Sequence, residues 1–149
     1  STYIDPFQAN IDSVMNYLDP EIIIVKNTTG MVYWPIYNLN NIGNMIIGEG
    51  YQVKMNSPQT LFVYGNALIP ELTPFLIPQN WSFIGYLRQS SASIEIMLAP
   101  IENEIVIVKN GDGLIYWPIY SINNIGDMIP GEGYQIKTLN SVILTYPAN

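Results

Sequence analysis

The feature that most constrains this chain is an internal duplication. Residues 21–55 align without a gap with residues 104–138, and 24 of the 35 aligned positions are identical. A repeat at this spacing indicates that the 149 residues form two small units rather than one domain. We therefore assign residues 1–66 to a first repeat unit and residues 67–149, which include a proline-rich entry segment, to a second.

The two units are not equally complete in the sequence. Tyr3 aligns with Tyr86 at the offset of 83 residues, but nothing before Ser1 matches the apolar stretch 73–77 or the Trp-Ser-Phe sequence at 81–83. We expect the chain to be a fragment of a longer protein, with a first unit that lacks one strand and part of another. A sheet edge left without its neighbour can accept a strand from another molecule, so self-association by strand addition is one predicted mode of partnership.

Apolar residues recur at helical spacing once in each unit. They lie at i, i+3, i+4 and i+7, which predicts one short amphipathic helix per unit. The positions are Ile11, Val14, Met15 and Leu18 in the first unit and Ile94, Met97, Leu98 and Ile101 in the second. The Asn-Asn pairs at 40–41 and 123–124 resemble helix caps, so a further helical turn is predicted after each pair.

The other periodic segments are typical of β-strands. The β-branched runs 22–25 and 105–108 are too short for helices and predict central strands covered on both faces. A turn leads from each run into a Tyr-Trp-Pro strand, which the proline ends, bulges or confines to an edge. Strands are also predicted at 51–54 and 61–64 in the first unit, and at 73–77, 134–137 and 142–146 in the second unit.

The short links between these segments favour antiparallel pairing. The predicted fold class is therefore α+β, mainly antiparallel β. It consists of two tandem repeats of a small β-rich unit, each with one short amphipathic helix and one helical turn.

The composition argues against several classes of function. Twelve acidic residues against five basic ones give a net charge of −7, which disfavours binding to nucleic acid or to an anionic membrane. No apolar run is long enough to insert into a membrane. The chain has no Cys and no His, so the usual nucleophile, general base and metal ligands are missing; we expect no enzyme activity, no cofactor and no metal site.

Charged residues make up only 11% of the chain, and apolar residues make up 48%. Soluble domains usually contain about 25% charged residues. We therefore expect apolar or aromatic surface to remain exposed or to be covered by neighbouring modules.

The Tyr-Trp-Pro strands provide the first candidate binding residues. Alternation along an extended strand predicts that Trp34 and Trp117 face the core, while the tyrosines on the opposite face are available to a sugar ring or an apolar partner. The tentative ligand-binding set is Tyr33, Tyr37, Trp81, Tyr116 and Tyr120. The competing interpretation is that these tyrosines pack against the helix with their hydroxyls hydrogen-bonded.

The second candidate is the pair of Gly-Glu-Gly segments. They comprise Gly48, Glu49 and Gly50 in the first unit and Gly131, Glu132 and Gly133 in the second. Glycosidic chemistry needs two carboxylates across one bond, and no second paired acid has an obvious place beside either glutamate. We therefore assign these residues to turns, with each glutamate in a stabilising contact such as one with Lys26 or Lys109.

These motifs also carry a resemblance. The sequence Trp81-Ser82-Phe83-Ile84-Gly85-Tyr86, the amphipathic helix, the Tyr-Trp-Pro strand and the closing Pro-Gly-Glu-Gly-Tyr-Gln sequence at 130–135 resemble a repeat of secreted and cell-surface bacterial proteins, especially those of Bacteroidetes. That repeat has a Gly-Trp-Asn-Leu-Ile opening and a Pro-Gly-x-Gly-Tyr closing motif. This chain departs from it at Gln79-Asn80, which precedes Trp81 where the repeat favours Gly, and at Ile47, which replaces the first proline.

The resemblance implies an extracellular or cell-surface accessory module appended to a larger protein. Together with the missing catalytic residues, it leads to the expectation of a non-catalytic structural or adhesive tandem-repeat module. The alternative is a carbohydrate-binding module with an aromatic Tyr/Trp platform. The expected partners are polysaccharides or neighbouring protein modules.

Overall fold

The computed structural model describes residues 3–149. Its α-helices are short: α1 spans Ile11–Met15 and α2 spans Ile94–Leu98. The strands are β1 Ile4–Pro6, β2 Ile22–Lys26, β3 Val32–Trp34, β4 Leu39–Asn40, β5 Gln52–Met55, β6 Gly65–Ala67, β7 Phe75–Ile77, β8 Asn80–Gly85, β9 Ala92–Ser93, β10 Ile105–Lys109, β11 Ile115–Trp117, β12 Ile122–Asn123, β13 Asp127–Met128, β14 Gly133–Thr138 and β15 Val142–Leu144. The 3₁₀ turns are Asn16–Leu18, Pro35–Tyr37, Pro70–Leu72, Ala99–Glu104 and Pro118–Tyr120.

Two antiparallel sheets contain most of the strand pairing. The first has the order β4-β3-β2-β5, and the second has the order β12-β11-β10-β14-β8. Three further antiparallel pairs, β1–β6, β9–β13 and β7–β15, lie outside these sheets. The fold is therefore mainly antiparallel β with two short helices, as the sequence predicts.

The pairing registers of the two sheets correspond at the offset of 83 residues. Val25 is opposite Tyr33 in the first sheet, and Val108 is opposite Tyr116 in the second. The ladder between β2 and β5 shifts between Ile22 and Ile24, and the ladder between β10 and β14 shifts at the corresponding place. Equal sequences therefore form equal local pairings, down to the irregularity.

Both predicted amphipathic helices are present, and their apolar faces are buried. Every one of the eight residues at helical spacing, in α1, in α2 and in the 3₁₀ turns that follow them, is less than 9% exposed. An Asn10 side-chain oxygen accepts a hydrogen bond from the backbone N–H of Asp12 and begins α1. The helices cover one face of each sheet and so close the two cores.

The two cores differ in size. The first consists of α1, its 3₁₀ turn and residues from β2 and β3. The second contains the corresponding residues and, in addition, side chains from β7, β8, β13, β14 and β15. The residues that follow β8 and β15 also bring two fully buried tyrosines, Tyr86 and Tyr146, into the second core.

The outer edge of β8 joins the two halves of the chain. Gly50 N donates to Phe83 O at 2.9 Å, and Gly85 N donates to Gly48 O at 2.9 Å. A Cβ atom on Gly50 would lie 2.8 Å from Ile84 O, so only glycine permits this approach. The Gly-Glu-Gly segment of the first half therefore acts as a further strand beside β8.

Two predicted elements differ in the structure. Residues 40–43 and 123–126 form no helical turn, because the side-chain oxygens of Asn40 and Asn123 accept the Gly43 and Gly126 N–H groups at 2.9 Å and close a loop. A 3₁₀ turn lies instead directly after Trp34 in the first half and after Trp117 in the second. A proline at the first helical position supplies a suitable φ and needs no hydrogen-bond donor there.

The strand predicted at 61–64 is also wrong. Its counterpart forms β15, which pairs with β7, but residues 3–149 contain no equivalent of β7 beside 61–64. The Tyr17 hydroxyl instead holds this segment, accepting from Phe62 N at 2.6 Å and donating to Thr60 O at 3.3 Å. Pairing resumes only at β6, one residue further along the chain.

Candidate functional site

The candidate site is built where the Tyr-Trp-Pro strand ends. β3 stops at Trp34, the 3₁₀ turn follows, and Asn38 at φ 51° reverses the chain. The second half repeats this arrangement, with Trp117 at the end of β11 and Ser121 at φ 53°. Because the turn is only three residues long, it brings the tyrosine at its end back beside the tryptophan.

Each turn displays an aromatic pair. The ring centroids of Trp34 and Tyr37 are 4.7 Å apart with the planes at 84°, and those of Trp117 and Tyr120 are 4.7 Å apart at 83°. An edge-to-face contact of this kind fixes both rings. Tyr37 is 68% exposed and Tyr120 is 63% exposed, so both pairs are accessible to a partner.

The middle residue of each turn is an exposed isoleucine. Ile36 is 80% exposed and Ile119 is 79% exposed. Each turn borders a shallow cleft, with volumes of about 510 Å³ in the first half and about 630 Å³ in the second. We call the Trp-Pro-Ile-Tyr residues 34–37 and 117–120 the two aromatic turns.

The structure corrects the predicted faces of the Tyr-Trp-Pro strand. Tyr33 and Tyr116 are 3% exposed and belong to the cores, whereas Trp34 and Trp117 are only half-buried. Both tyrosines lie opposite fully buried valines, on the side that the helix covers. Alternation itself holds along β3 and β11, but the face that packs on the core is the tyrosine face and not the predicted tryptophan face.

The buried tyrosine hydroxyls meet acidic side chains. Tyr33 Oη lies 2.6 Å from Asp19 Oδ1 and 3.2 Å from Asp12 Oδ1, and Tyr116 Oη donates to Glu102 Oε1 at 3.2 Å. Burial, followed by the charge of Glu102, raises the pKa of Tyr116 to about 12. Burial and the bond to Asp19 also raise the pKa of Tyr33. Both hydroxyls are satisfied within the fold and are not available to a ligand.

Trp81 lies in a different environment from the aromatic turns. It is 39% exposed on the surface of β8, and the ammonium groups of Lys109 and Lys137 lie 5.1 Å and 5.9 Å from its ring centroid. These distances are those of cation–π contacts. Lysines therefore flank the ring of Trp81, which does not form one surface with the tyrosines.

The two glutamates between glycines serve as turn residues. Glu49 Oε2 accepts from the Tyr51 hydroxyl at 2.9 Å, and Glu132 Oε2 accepts from the Tyr134 hydroxyl at 3.2 Å. Each tyrosine oxygen in turn accepts a backbone N–H at 2.8 Å. This contact stabilises the turn, and the partner is a tyrosine where the sequence suggested a lysine.

Among residues 3–149, no three His, Cys, Asp or Glu side chains are grouped so that they could hold a metal ion. Within the same range, no helix has the length and apolar content that crossing a membrane requires. No family model matches this chain, and no curated protein or solved structure is significantly similar to it.

Two groups of residues in these sites were not predicted from the sequence. Strict alternation places Ile36 and Ile119 on the predicted core face together with the tryptophans, although the low content of charged residues indicates that some apolar side chains must be exposed. Lys109 and Lys137 lie on neighbouring strands far apart in sequence, so only the pairing of β10, β14 and β8 brings them to Trp81.

Proposed function

We propose that this chain is a non-catalytic structural or adhesive module of a larger secreted or cell-surface protein. It consists of two tandem copies of one unit, residues 1–66 and 67–149. The duplication in the sequence and the equal registers of the two sheets support this organisation. The module presents one apolar contact surface per unit.

One observation carries the proposal: the two aromatic turns have the same geometry and the same exposure. Large apolar side chains usually face the core, and contiguous exposed ones mark interaction sites. Ile36 and Ile119 project beside their aromatic pairs and are about four-fifths exposed. Two equal surfaces on one chain increase the strength of attachment by multivalency.

The shape of each surface favours an apolar protein partner over a sugar. The two rings of each pair stand nearly perpendicular, so they do not form one flat platform of coplanar rings. The exposed isoleucine next to them has no aromatic face to offer. Carbohydrate binding is the second candidate, because the face of a single exposed tyrosine can still stack on a sugar ring.

The test measures the retention of beads that carry the chain. Under flow, the beads pass over an alkyl-terminated monolayer and over a panel of immobilised polysaccharides. We expect retention on the alkyl surface and a loss of at least about fivefold in the Ile36→Ser, Ile119→Ser variant, because the contact buries these side chains. Retention on one polysaccharide, lost in a Tyr37→Ala, Tyr120→Ala variant, would favour the carbohydrate-binding alternative.

The matched control is Leu76→Ser, Ile143→Ser. Leu76 on β7 is 61% exposed, and Ile143 on β15 is 64% exposed. Both residues lie outside the aromatic turns. If this variant lost retention to the same degree, the binding would reflect general apolar exposure and the proposal would be wrong. Thermal melts of both variants show whether the folds remain intact.

A further inference from the structure

The two halves differ most at one sheet edge. In the second half, β14 lies between β10 and β8, whereas within residues 3–149 the corresponding strand β5 pairs with β2 alone. Val53 of β5 is 41% exposed, whereas the corresponding residue of β14, Ile136, is fully buried. A free edge of this kind is the usual acceptor for an added strand.

The free edge borders two cavities. One, of about 130 Å³, is lined by residues of the first core such as Met15 and Met45, together with Gly131. The other, of about 450 Å³, is lined by residues of the second half such as Lys109 and Asp112. Both cavities also contact Tyr51, Val53 and Gly133. They lie side by side between β5 and the second Gly-Glu-Gly segment, in a region that we call the edge slot.

In the second half, the position that corresponds to the edge slot is occupied by a strand. There β8 occupies the position beside β14, and its outer edge binds the first Gly-Glu-Gly segment through Gly48 and Gly50. In the edge slot, β5 takes the place of β14, and the second Gly-Glu-Gly segment takes the place of the first. A Cβ atom on Gly131 would meet no atom within 4 Å, whereas one on Gly48 would overlap the Phe75 ring. The second segment bonds to β8 and its continuation at Gly85 and Tyr86, and no other described strand lies against it.

We propose that the edge slot binds one extended strand with the chemistry of β8, that is, an unpaired segment with the sequence pattern Trp-Ser-Phe-Ile-Gly supplied by a further, incomplete repeat unit. This inference rests on the proposed organisation into two units. The strand pairs with β5 on one edge and with the second Gly-Glu-Gly segment on the other. Its isoleucine covers the first core, as Ile84 covers the second at 2% exposure.

The lysines of the first half complete the complementarity. Lys26 and Lys54 correspond to Lys109 and Lys137, which flank the ring of Trp81. Both are exposed on the neighbouring strands β2 and β5, and Lys54 lies opposite the position of an incoming tryptophan, as Lys137 lies opposite Trp81. The slot therefore selects an aromatic residue facing outward and an aliphatic residue facing inward.

A folded second copy of this chain does not fit the slot. Its own β8 already pairs on both edges, with β14 and with the first Gly-Glu-Gly segment, and Ile84 is buried in its core. To donate that strand, the second copy would have to open its larger core. The occupant we infer is therefore an unpaired segment of this pattern.

The first test uses a peptide with the sequence of residues 79–87. We expect one peptide to bind per chain in calorimetry, and the exchange of the Val53 backbone amide, followed by NMR, to slow on binding. A peptide with Ile84→Asp should not bind, because a carboxylate would be buried against the first core. Lys26→Ala, Lys54→Ala in the protein should weaken binding about tenfold through the lost cation–π contacts, whereas Lys137→Ala leaves binding unchanged.

The second test places the strand in the same polypeptide. Because Ser1 corresponds to Ile84 and Thr2 to Gly85 in the alignment, replacing Ser1-Thr2 with Gln-Asn-Trp-Ser-Phe-Ile-Gly places the whole pattern directly before Tyr3 without a linker. We expect a higher melting temperature and a protected Val53 amide, but neither effect when the added isoleucine is replaced by aspartate. Protection of Val53 in either format supports the inference. A Val53 amide that stays unprotected in both, or a chain that dimerises and excludes the peptide, would overturn it, and neither result bears on bead retention by the aromatic turns.

Discussion

Val53 and Ile136 occupy the same place in two copies of one sequence motif, yet one is 41% exposed and the other is fully buried. Their strands pair in the same register with β2 and β10. The difference comes from the next neighbour, because β8 lies beside β14 and no described strand lies beside β5. Local sequence therefore determines the strand, and the flanking strand determines whether its side chains are buried.

The largest expected effect of this difference is on stability. Ile136→Ala should lower the free energy of unfolding by about 2–5 kcal/mol, because it leaves a cavity in a closed core. Val53→Ala should cost less than about 1 kcal/mol, because the side chain is already partly solvated. Urea denaturation of the two variants measures both values. Equal losses would show that the first half is as well covered as the second.

The Gly-Glu-Gly segments give the next comparison. Gly48 and Gly131 have φ values of 84° and 85°, so an alanine at either position costs about 1–2 kcal/mol of backbone strain. Only at Gly48 would the new methyl group overlap the Phe75 ring, which adds about 1–3 kcal/mol. Thermal or urea unfolding of Gly48→Ala and Gly131→Ala should rank them in this order. A Gly131 variant as unstable as the Gly48 variant would mean that a side chain also lies against Gly131, as Phe75 lies against Gly48.

The buried tyrosines predict a loss of stability in alkali. The pKa of Tyr116 is raised to about 12, against about 10 in an unfolded chain. Its contribution is fully present below about pH 10 and is lost as the pH rises toward 12, with a slope of at most about 1.4 kcal/mol per pH unit. The pKa of Tyr33 is also raised, so it adds to the same loss. Urea midpoints from pH 9 to 12 should fall less steeply in Tyr116→Phe than in the unchanged chain, and an identical slope would contradict the assignment.

The smallest effect is expected at the aromatic turns. Tyr37→Ala and Tyr120→Ala should each cost about 0.5–1.5 kcal/mol, because each removes one edge-to-face contact from an exposed ring. The two values should agree closely, since the geometries are the same. Thermal melts measure the costs. A large loss in one half only would show that its tyrosine supports the core as well as the surface.

Much of the fold could be predicted from the sequence because the signals are local. Helical spacing located both helices, and the β-branched runs located β2 and β10. The strand at 61–64 was predicted wrongly because its formation depends on a partner strand, which local composition does not reveal.

The candidate site was predicted only in part, for a similar reason. Tyr37 and Tyr120 were correctly placed among the exposed residues, but Tyr33 and Tyr116 proved to be core residues. Alternation holds along β3 and β11, but both faces carry aromatic side chains, so the local sequence does not show which face the helix covers. The lysines beside Trp81 depend on the order of three strands and carry no local signal.

The most direct test of this account is amide hydrogen exchange at Val53 and Ile136 in the free chain. The backbone groups of Phe83 and Gly85 bond to the first Gly-Glu-Gly segment, so those of the alternate residues Ser82 and Ile84 face β14. Ile136 is opposite Ser82, so its amide faces β8. Val53 has the same register on β2 as Ile136 has on β10, so its amide faces away from β2. We predict that Ile136 exchanges only on global unfolding and that Val53 exchanges many times faster, while its neighbour Lys54 stays protected. Equally slow exchange at Val53 and Ile136 would contradict the free edge from which the comparison starts.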